Sequence, residues 1–389
     1  MKKEVSPIIA LVGIGIVLGV VQLLYWRGLV VEERMQLPGG GGAAGGASGD
    51  TGPPAPVGLA EATVTTLAGG LGSGHRDGGC DEALFDGPVS VAPDGAGSVY
   101  VADSRNHTVR VVSAAGQVMT TAGAAGEPGY VDGPAAEARF SGPAGVAVTP
   151  DGRVLVADTG NHRIRCVTGD GVVSTYAGAE TPRDDIGRER GGYRDGRVDE
   201  AQFCYPVGVA VDEGGIVYVA DAGNHRVRRI SPTGEVSTVP VGGEGELKAP
   251  TQVAVGGGNR LWVADSAGGT IWVGPREGPL EQWRSGEEEG SVAAPAGIAV
   301  LGENAPRPGV YLLDAGNHCL WQVHGDSVEL VAGQQDPAAP GLGDGGGDRA
   351  RFSSPVGLAS GPKGELYVAD FGNNCVREIR FAGGGKEAY

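Results

Sequence analysis

The segment Val154–Arg165 reads VLVADTGNHRIR and has the pattern of a β-hairpin. An apolar run ends at Asp158, a Gly-Asn pair supplies turn chemistry, and a second run then alternates charged and apolar residues. The chain repeats this pattern in six copies, each with an aspartate at the end of the apolar run. The repeated aspartates are Asp103, Asp158, Asp221, Asp265, Asp314 and Asp370. Six copies indicate a repeat protein.

Further apolar runs flank each hairpin. Pro143–Val148 precedes the quoted hairpin and Val173–Gly178 follows it, and most copies have equivalents of both. Four short strands per unit, repeated at roughly 40–50 residues plus insertions, are typical of a β-propeller blade. The successive motifs P-x-G-V-A-V, Y-V-A-D and G-N-H-R-[IV]-R resemble those of the NHL-repeat family. The resemblance implies an all-β, six-bladed propeller and says much less about function.

The N-terminal segment 1–36 is predicted to be a membrane anchor. Ile8–Trp26 has no charged residue, and a helix over about 7–26 is long enough to cross a hydrocarbon core of roughly 30 Å. A cleaved signal peptide is the alternative, although no small-x-small cleavage site precedes Arg27. Lys2 and Lys3 lie before the span and mixed charges follow it. The positive-inside rule therefore predicts a single-pass protein of the cell membrane, with a cytoplasmic N-terminus and an extracytoplasmic propeller.

The rest of the chain divides into a linker, a propeller and a tail. Residues 37–60 are rich in Gly and Pro and are predicted to form a flexible linker. The propeller is assigned to 61–381 and a disordered tail to 382–389. Segment 62–68 resembles the fourth strand of a blade but precedes blade one, whereas the sixth repeat ends after three strands. We therefore expect 62–68 to close the ring as the outer strand of blade six.

Four of the loops between blades share a second motif, Asp-Gly followed by Ala-x-Phe. Its aspartates are Asp77, Asp132, Asp195 and Asp344. Propeller geometry places these loops on the same face as the Gly-Asn-His turns, and we call this side the loop face. Loops on a rigid scaffold commonly carry function. The candidate ligand-face residues are His107, His162, Arg163, His225, Arg226, His318, Asp132, Asp195 and Asp344.

The repeated histidines and aspartates are interpreted as structural. Equivalent positions in successive blades spread around a ring, whereas a metal ion needs three or four ligands at about 2.0–2.3 Å from one centre. A catalytic carboxylate is needed once or twice, whereas a turn acceptor is needed in every blade. Arg163, Arg165, Arg226, Arg228 and Arg229 alternate along third strands and are predicted to pair with acidic residues between blades. The sequence therefore predicts no catalytic residue, metal site or cofactor.

Net charge and aromatic content disfavour one class of partner, and the cysteine positions suggest one disulfide. A net charge of −17 and an aromatic content of 5% disfavour nucleic-acid binding. Of the five cysteines, Cys80 is the one that ring closure brings toward Cys375, which gives the hypothesis of a disulfide between them.

We expect a membrane-tethered binding or scaffold module that holds an extracytoplasmic protein, peptide or glycan on its loop face. The alternative is a propeller lyase or hydrolase, lactonase-like or amidating-lyase-like, with its active site in the central channel. Dependence of that site on a metal ion is left open. The zinc- or calcium-ligand pattern known from some propeller enzymes has no match in this sequence.

Overall fold

The computed structural model describes most of the repeat region as six antiparallel sheets. The described residues are 61–382 apart from 186, 188, 244, 257, 284–291 and 335–339. First strands of neighbouring sheets contact one another around a common axis, so each sheet is one blade. The predicted all-β, six-bladed propeller is confirmed.

Blades one to three have the same succession of four strands from the axis outward. The strands are Pro88–Pro93, Val99–Asp103, Thr108–Val112 and Gln117–Ala122 in blade one; Pro143–Val148, Val154–Asp158, Arg163–Val167 and Val172–Ala177 in blade two; and Pro206–Val211, Val217–Asp221, Arg226–Ile230 and Glu235–Thr238 in blade three. Each second strand runs directly into the hairpin that the sequence repeats.

Blades four to six follow the same plan, but the last strand of blade six comes from the start of the propeller region. The strands are Pro250–Gly256, Arg260–Asp265, Thr270–Pro275 and Glu281–Trp283 in blade four; Pro295–Leu301, Gly309–Asp314, Cys319–His324 and Ser327–Gly333 in blade five; and Pro355–Ser360, Leu366–Asp370, Cys375–Phe381 and Ala62–Gly69 in blade six. Ala62–Gly69 pairs antiparallel with Cys375–Phe381, with Val64 opposite Ile379.

Four blades also have a short fifth strand that the four-strand prediction missed. The fifth strands are Gly78–Gly79, Gly133–Pro134, Gly196–Arg197 and Gly345–Gly346, in blades one, two, three and six. They are the Asp-Gly segments of the inter-blade loops, and each pairs with the outer edge of its own blade. These loops are therefore extensions of the sheets.

The tight turn between the second and third strands requires one left-handed residue. In four blades it is a 3₁₀ turn, formed by Ser104–Asn106, Thr159–Asn161, Ala222–Asn224 and Phe371–Asn373. The next residue has positive φ, for example 57° at His162. Histidine and asparagine tolerate this conformation better than branched residues do, which explains their place in the motif.

The hydrophobic core lies in the seams between blades. Leu155 of blade two and Val219 of blade three, both fully buried, belong to one such seam. Phe203 of the intervening loop is fully buried in the same seam. The Ala-x-Phe half of the loop motif is therefore core, and only the residues around it can face a ligand.

Two further predictions concern the N-terminal segment and the cysteines. Within the described residues, no helix has the length and apolar character needed to cross a membrane. The span predicted at about 7–26 and the linker at 37–60 lie outside those residues. All five cysteines have free thiols. The hypothesis of a Cys80–Cys375 disulfide is therefore wrong, although Cys80 does lie at the ring closure, where its carbonyl accepts a hydrogen bond from Gly69 N–H.

Candidate functional site

A buried arginine organises the loop face in blade three. Arg228 Nη1 donates to Asp221 Oδ2 at 2.8 Å, and its Nη2 donates to Asp195 Oδ1 at 2.5 Å. The carbonyls of Gln202 and Arg194 accept further N–H bonds at 2.9 and 2.7 Å. We call this arrangement the ion triad, and it recurs as Arg110 with Asp103 and Asp77, Arg165 with Asp158 and Asp132, and Arg377 with Asp370 and Asp344. Each triad ties an inter-blade loop to the second strand.

The ion triads lie within single blades. Arg165 and Arg228 therefore do not pair between blades as the sequence suggested, because the loop that carries the second aspartate belongs to the same sheet. Arg229 does pair between blades, since its Nη2 lies 3.4 Å from the Glu277 carboxylate of blade four.

The candidate residues Asp132, Asp195 and Asp344 are the loop members of these triads. Asp195 Oδ2 accepts hydrogen bonds from the backbone N–H and the hydroxyl of Thr238 at 3.2 and 3.1 Å. Partial burial opposes ionisation of Asp344, but hydrogen bonds from Thr66 and the charge of its triad arginine lower the pKa of this carboxyl. These aspartates position the loops, and their carboxylates remain half-exposed.

Blades four and five replace the triad arginine with tryptophan. Trp272 and Trp321 occupy the equivalent third-strand positions and are 2% and 3% exposed. No Asp-Gly loop precedes these blades. Asp265, the second-strand aspartate of blade four, instead accepts two backbone N–H bonds, from Lys248 and Ala249, at 2.8 and 2.7 Å. A buried arginine would lack its loop carboxylate here, so an apolar ring takes the space.

The candidate histidines connect successive blades. His162 Nδ1 accepts a hydrogen bond from Tyr205 N–H at 3.0 Å, and burial lowers the pKa of its imidazole. His107 and His318 accept from the next blade in the same way, at Gly142 and Ser354. The described residues contain no group of three or more His, Cys, Asp or Glu arranged to hold a metal. The structure thus places these histidines in backbone contacts around the ring.

Two junctions between blades depart from this pattern. His225 is exposed, and its Nδ1 lies against the Lys248 carbonyl, which can only accept a hydrogen bond. This nitrogen therefore donates, whereas the other Nδ1 atoms accept. In blade four the left-handed position is Gly269, with φ 60°, and it has no side chain to offer. At these two junctions, therefore, no histidine Nδ1 accepts a backbone hydrogen bond from the next blade.

Aromatic side chains of two inter-blade loops are exposed on the loop face. Tyr130 and Tyr193 are 40% and 48% exposed, and their hydroxyls hydrogen-bond Thr175 and Thr238 on the outer strands. Leu342 has the equivalent place before blade six and is 46% exposed. Because the ion triads fix the loops, these side chains are exposed on a part of the chain that is held in place.

The remaining candidates, Arg163 and Arg226, stack on these tyrosines. The Arg163 guanidinium lies 4.3 Å from the centre of the Tyr130 ring, is 1% exposed and pairs with Glu189. Arg226 lies 4.4 Å from the centre of the Tyr193 ring and is exposed. The two blades therefore contain the same cation–π pair. Its arginine is covered by Glu189 in blade two and exposed to solvent in blade three.

A small cavity at the centre of the ring is lined by uncharged side chains from all six blades. It has a volume of about 50 Å³, room for only a few waters. The lining residues are Val89, Ser90, Ala144, Val207, Gly208, Val209, Thr251, Gln252, Ser266, Ala294, Ala296, Ala315 and Val356. Gln252 of blade four reaches across, donating to the Leu358 carbonyl at 2.5 Å and accepting from Ile298 and Leu358 N–H at 3.3 Å. This amide connects blades four, five and six.

A family model for the NHL repeat matches four segments, at residues 85–112, 140–167, 203–230 and 352–379. These segments lie in blades one, two, three and six, the four that contain an ion triad. The chain carries NHL repeats. The chain is 29% identical over 277 residues to NHL repeat-containing protein 2 of Bos taurus. The aligned region covers 58% of this chain and 37% of that relative. The chain thus spans little more than a third of the length of this curated relative.

Solved structures share the fold at low sequence identity. An auxiliary nutrient binding protein from Bacteroides thetaiotaomicron superposes with a TM-score of 0.60 at 15% identity, over 83% of this chain and 77% of that one. Virginiamycin B lyase from Staphylococcus aureus superposes with a TM-score of 0.54 at 14% identity, over 82% of this chain and the whole of that one. At these identities the likeness concerns the propeller fold alone.

Sequence reasoning missed the triad arginines as a set and the exposed tyrosines. A constant separation was the available signal, because the loop aspartate precedes the triad arginine by 33 residues in all four blades. Tyr130 and Tyr193 also stand two residues before the loop aspartate, in Y-x-D-G segments. Gln252 gave no signal, because its role depends on reaching a strand 106 residues away.

Proposed function

We propose that this NHL propeller is a membrane-tethered, extracytoplasmic binding or scaffold module that holds a protein, peptide or glycan on its loop face. One observation carries the proposal: buried ion triads fix the loops, while Tyr130 and Tyr193 on those loops stay exposed. Aromatic side chains on a rigid surface supply contact area at low entropic cost. The tether is the span predicted at about 7–26.

The alternative is a lyase or hydrolase that works in the central channel. The fold it shares with virginiamycin B lyase favours considering it, but at 14% identity no catalytic residue carries over. The cavity at the centre of the ring has a volume of about 50 Å³, well below the roughly 300–1,000 Å³ of typical small-molecule sites. Its lining offers hydroxyls and one amide but no ionisable side chain for acid–base work. The loop face is therefore the better-supported site.

Photo-crosslinking in the native envelope tests the proposal. One probe is placed in the 179–205 loop and a control probe near Asp151 and Gly152, in the 149–153 turn at the opposite end of the blade two strands. A discrete adduct from the loop probe alone is expected. Equal, diffuse labelling from both positions would reject loop-face binding and direct attention to the channel.

A further inference from the structure

Blade two shows how its loop face binds a carboxylate. Arg163 lies over the Tyr130 ring, and its Nη1 donates to the Asn161 carbonyl at 2.7 Å. Nη1 and Nη2 also donate to the two oxygens of Glu189, at 2.9 and 3.2 Å. The Glu189 side chain is 8% exposed. A loop glutamate thus docks in a two-point contact on an arginine held flat by an aromatic ring.

Blade three repeats the receiving half of this arrangement. Arg226 lies 4.4 Å from the centre of the Tyr193 ring, and its Nη1 donates to the Asn224 carbonyl at 2.8 Å. Both Arg226 and Tyr193 are exposed. Within the part of the chain that the structure describes, no carboxylate pairs with Arg226. Glu246, in the loop between blades three and four, pairs with Lys248 at 3.7 Å.

We propose that the Arg226–Tyr193 pair is a binding subsite for an acidic side chain of a peptide or protein partner. This rests on the proposed loop-face function and names one of its contacts. Stacking on Tyr193 and the bond to Asn224 fix the guanidinium plane before binding, so little side-chain entropy is lost. The planar fork of an arginine matches a carboxylate at two points.

A peptide carboxylate is favoured because blade two already accepts one. Glu189 lies in the segment Arg188-Glu189-Arg190-Gly191, an acidic side chain among basic neighbours. The propeller chain has a net charge of −17, which repels strongly acidic partners at long range. We therefore expect a partner segment with one or two carboxylates and no large net negative charge.

The test measures the adduct from a photo-probe at residue 194 of the full chain in its native envelope. Arg226→Gln is expected to lower the yield by at least about tenfold, because a two-point charged contact is lost. Arg226→Lys keeps the charge but not the fork and should restore only part of the yield. Arg197→Gln, which changes an exposed pair with Asp199, is the control and should leave the yield unchanged.

Competition identifies the chemistry of the ligand. The α-amide of N-acetylglutamate in excess should reduce the adduct, and the α-amide of N-acetylglutamine, which has no carboxylate, should not. Mass spectrometry of the digested adduct should find a peptide of the partner attached to the probe. A captured group that contains no peptide and is lost on periodate oxidation would assign the carboxylate to a glycan and overturn the peptide source.

Thermal unfolding tests whether Arg226 is available. Arg163→Gln removes a buried ion pair and should lower the midpoint, whereas Arg226→Gln should leave it unchanged. If the two variants lowered the thermal midpoint equally, Arg226 would already bind a carboxylate within the chain, and this result would overturn the subsite. Absence of any adduct from the unsubstituted loop face contradicts the proposed function itself. An adduct that persists in Arg226→Gln rejects the subsite alone.

Discussion

At the scale of single residues, the ion triad explains why this sequence repeats both an arginine and two aspartates. Asp158 is fully enclosed, and burial raises the pKa of its carboxyl to about 6 although Arg165, Asn161 and Ser141 N–H stabilise the charge. Asp132 of the same triad is half-exposed and retains contact with solvent. Removing the arginine would therefore strand one buried carboxylate and leave the other hydrated.

Arg165→Met is expected to destabilise the fold by about 3–5 kcal/mol at pH 8, because Asp158 loses its buried partner. The measurement is urea unfolding. The control is Arg197→Met, whose exposed pair with Asp199 should contribute no more than about 1 kcal/mol.

The loss of unfolding free energy caused by Arg165→Met should become smaller as the pH falls from 8 to 5. The folded pKa of Asp158 is raised above the unfolded value of 3.8, so ionisation opposes folding as pH rises through that window. Loss of the arginine raises this pKa further, and the variant therefore loses more stability than the parent above pH 6. A cost that is the same at pH 5 and pH 8 would contradict a buried, titrating Asp158.

At the scale of elements, alternation and turn chemistry in the sequence were sufficient to predict the strands and their order. The V-x-V-A-D runs became second strands, and the Gly-Asn-His segments became turns with a left-handed final residue. The fifth strands were missed because two residues cannot show a period, and Asp-Gly is also ordinary loop chemistry. The pairing of each fifth strand depends on the contact between its loop aspartate and an arginine 33 residues later. A local sequence pattern does not reveal a contact between such distant positions.

Closure of the ring by Ala62–Gly69 gives a prediction at this scale. Val64 is fully buried against blade six, whereas Thr63 on the other side of the strand is exposed and opposite Arg380. Val64→Asp should lower the thermal midpoint strongly and expose the edge of Cys375–Phe381, which promotes self-association. Light scattering and calorimetry measure both effects. Thr63→Asp should change neither, and an equally mild Val64→Asp would contradict the closure.

At the scale of the whole molecule, the propeller has two unlike sides. Blades one, two, three and six contain ion triads and NHL-model matches, whereas blades four and five use buried tryptophans. The sequence indicated this asymmetry through the missing Asp-Gly loops. It could not distinguish positioning residues from contact residues on the loop face, because both are polar and both lie beside the same turns. Asp132 and Asp195 position loops, and Tyr130 and Tyr193 are the exposed members.

Localisation is a prediction about the whole chain. We expect the full-length protein to remain in the membrane fraction after carbonate washing, and external protease to digest the propeller in intact spheroplasts. Deletion of 8–26 should move it to the soluble fraction, because the apolar span supplies the anchor. Protection from external protease would contradict the predicted orientation.

The most direct test of loop-face binding compares adduct yield from the 179–205 photo-probe in two full-length variants. Tyr193→Ala removes an exposed aromatic contact, and Gln252→Ala changes the central channel, with thermal unfolding confirming that each folds. Loop-face binding predicts a loss of at least about tenfold for Tyr193→Ala and no change for Gln252→Ala. Loss of the adduct in Gln252→Ala, with Tyr193→Ala unaffected, would contradict it and place the ligand in the channel.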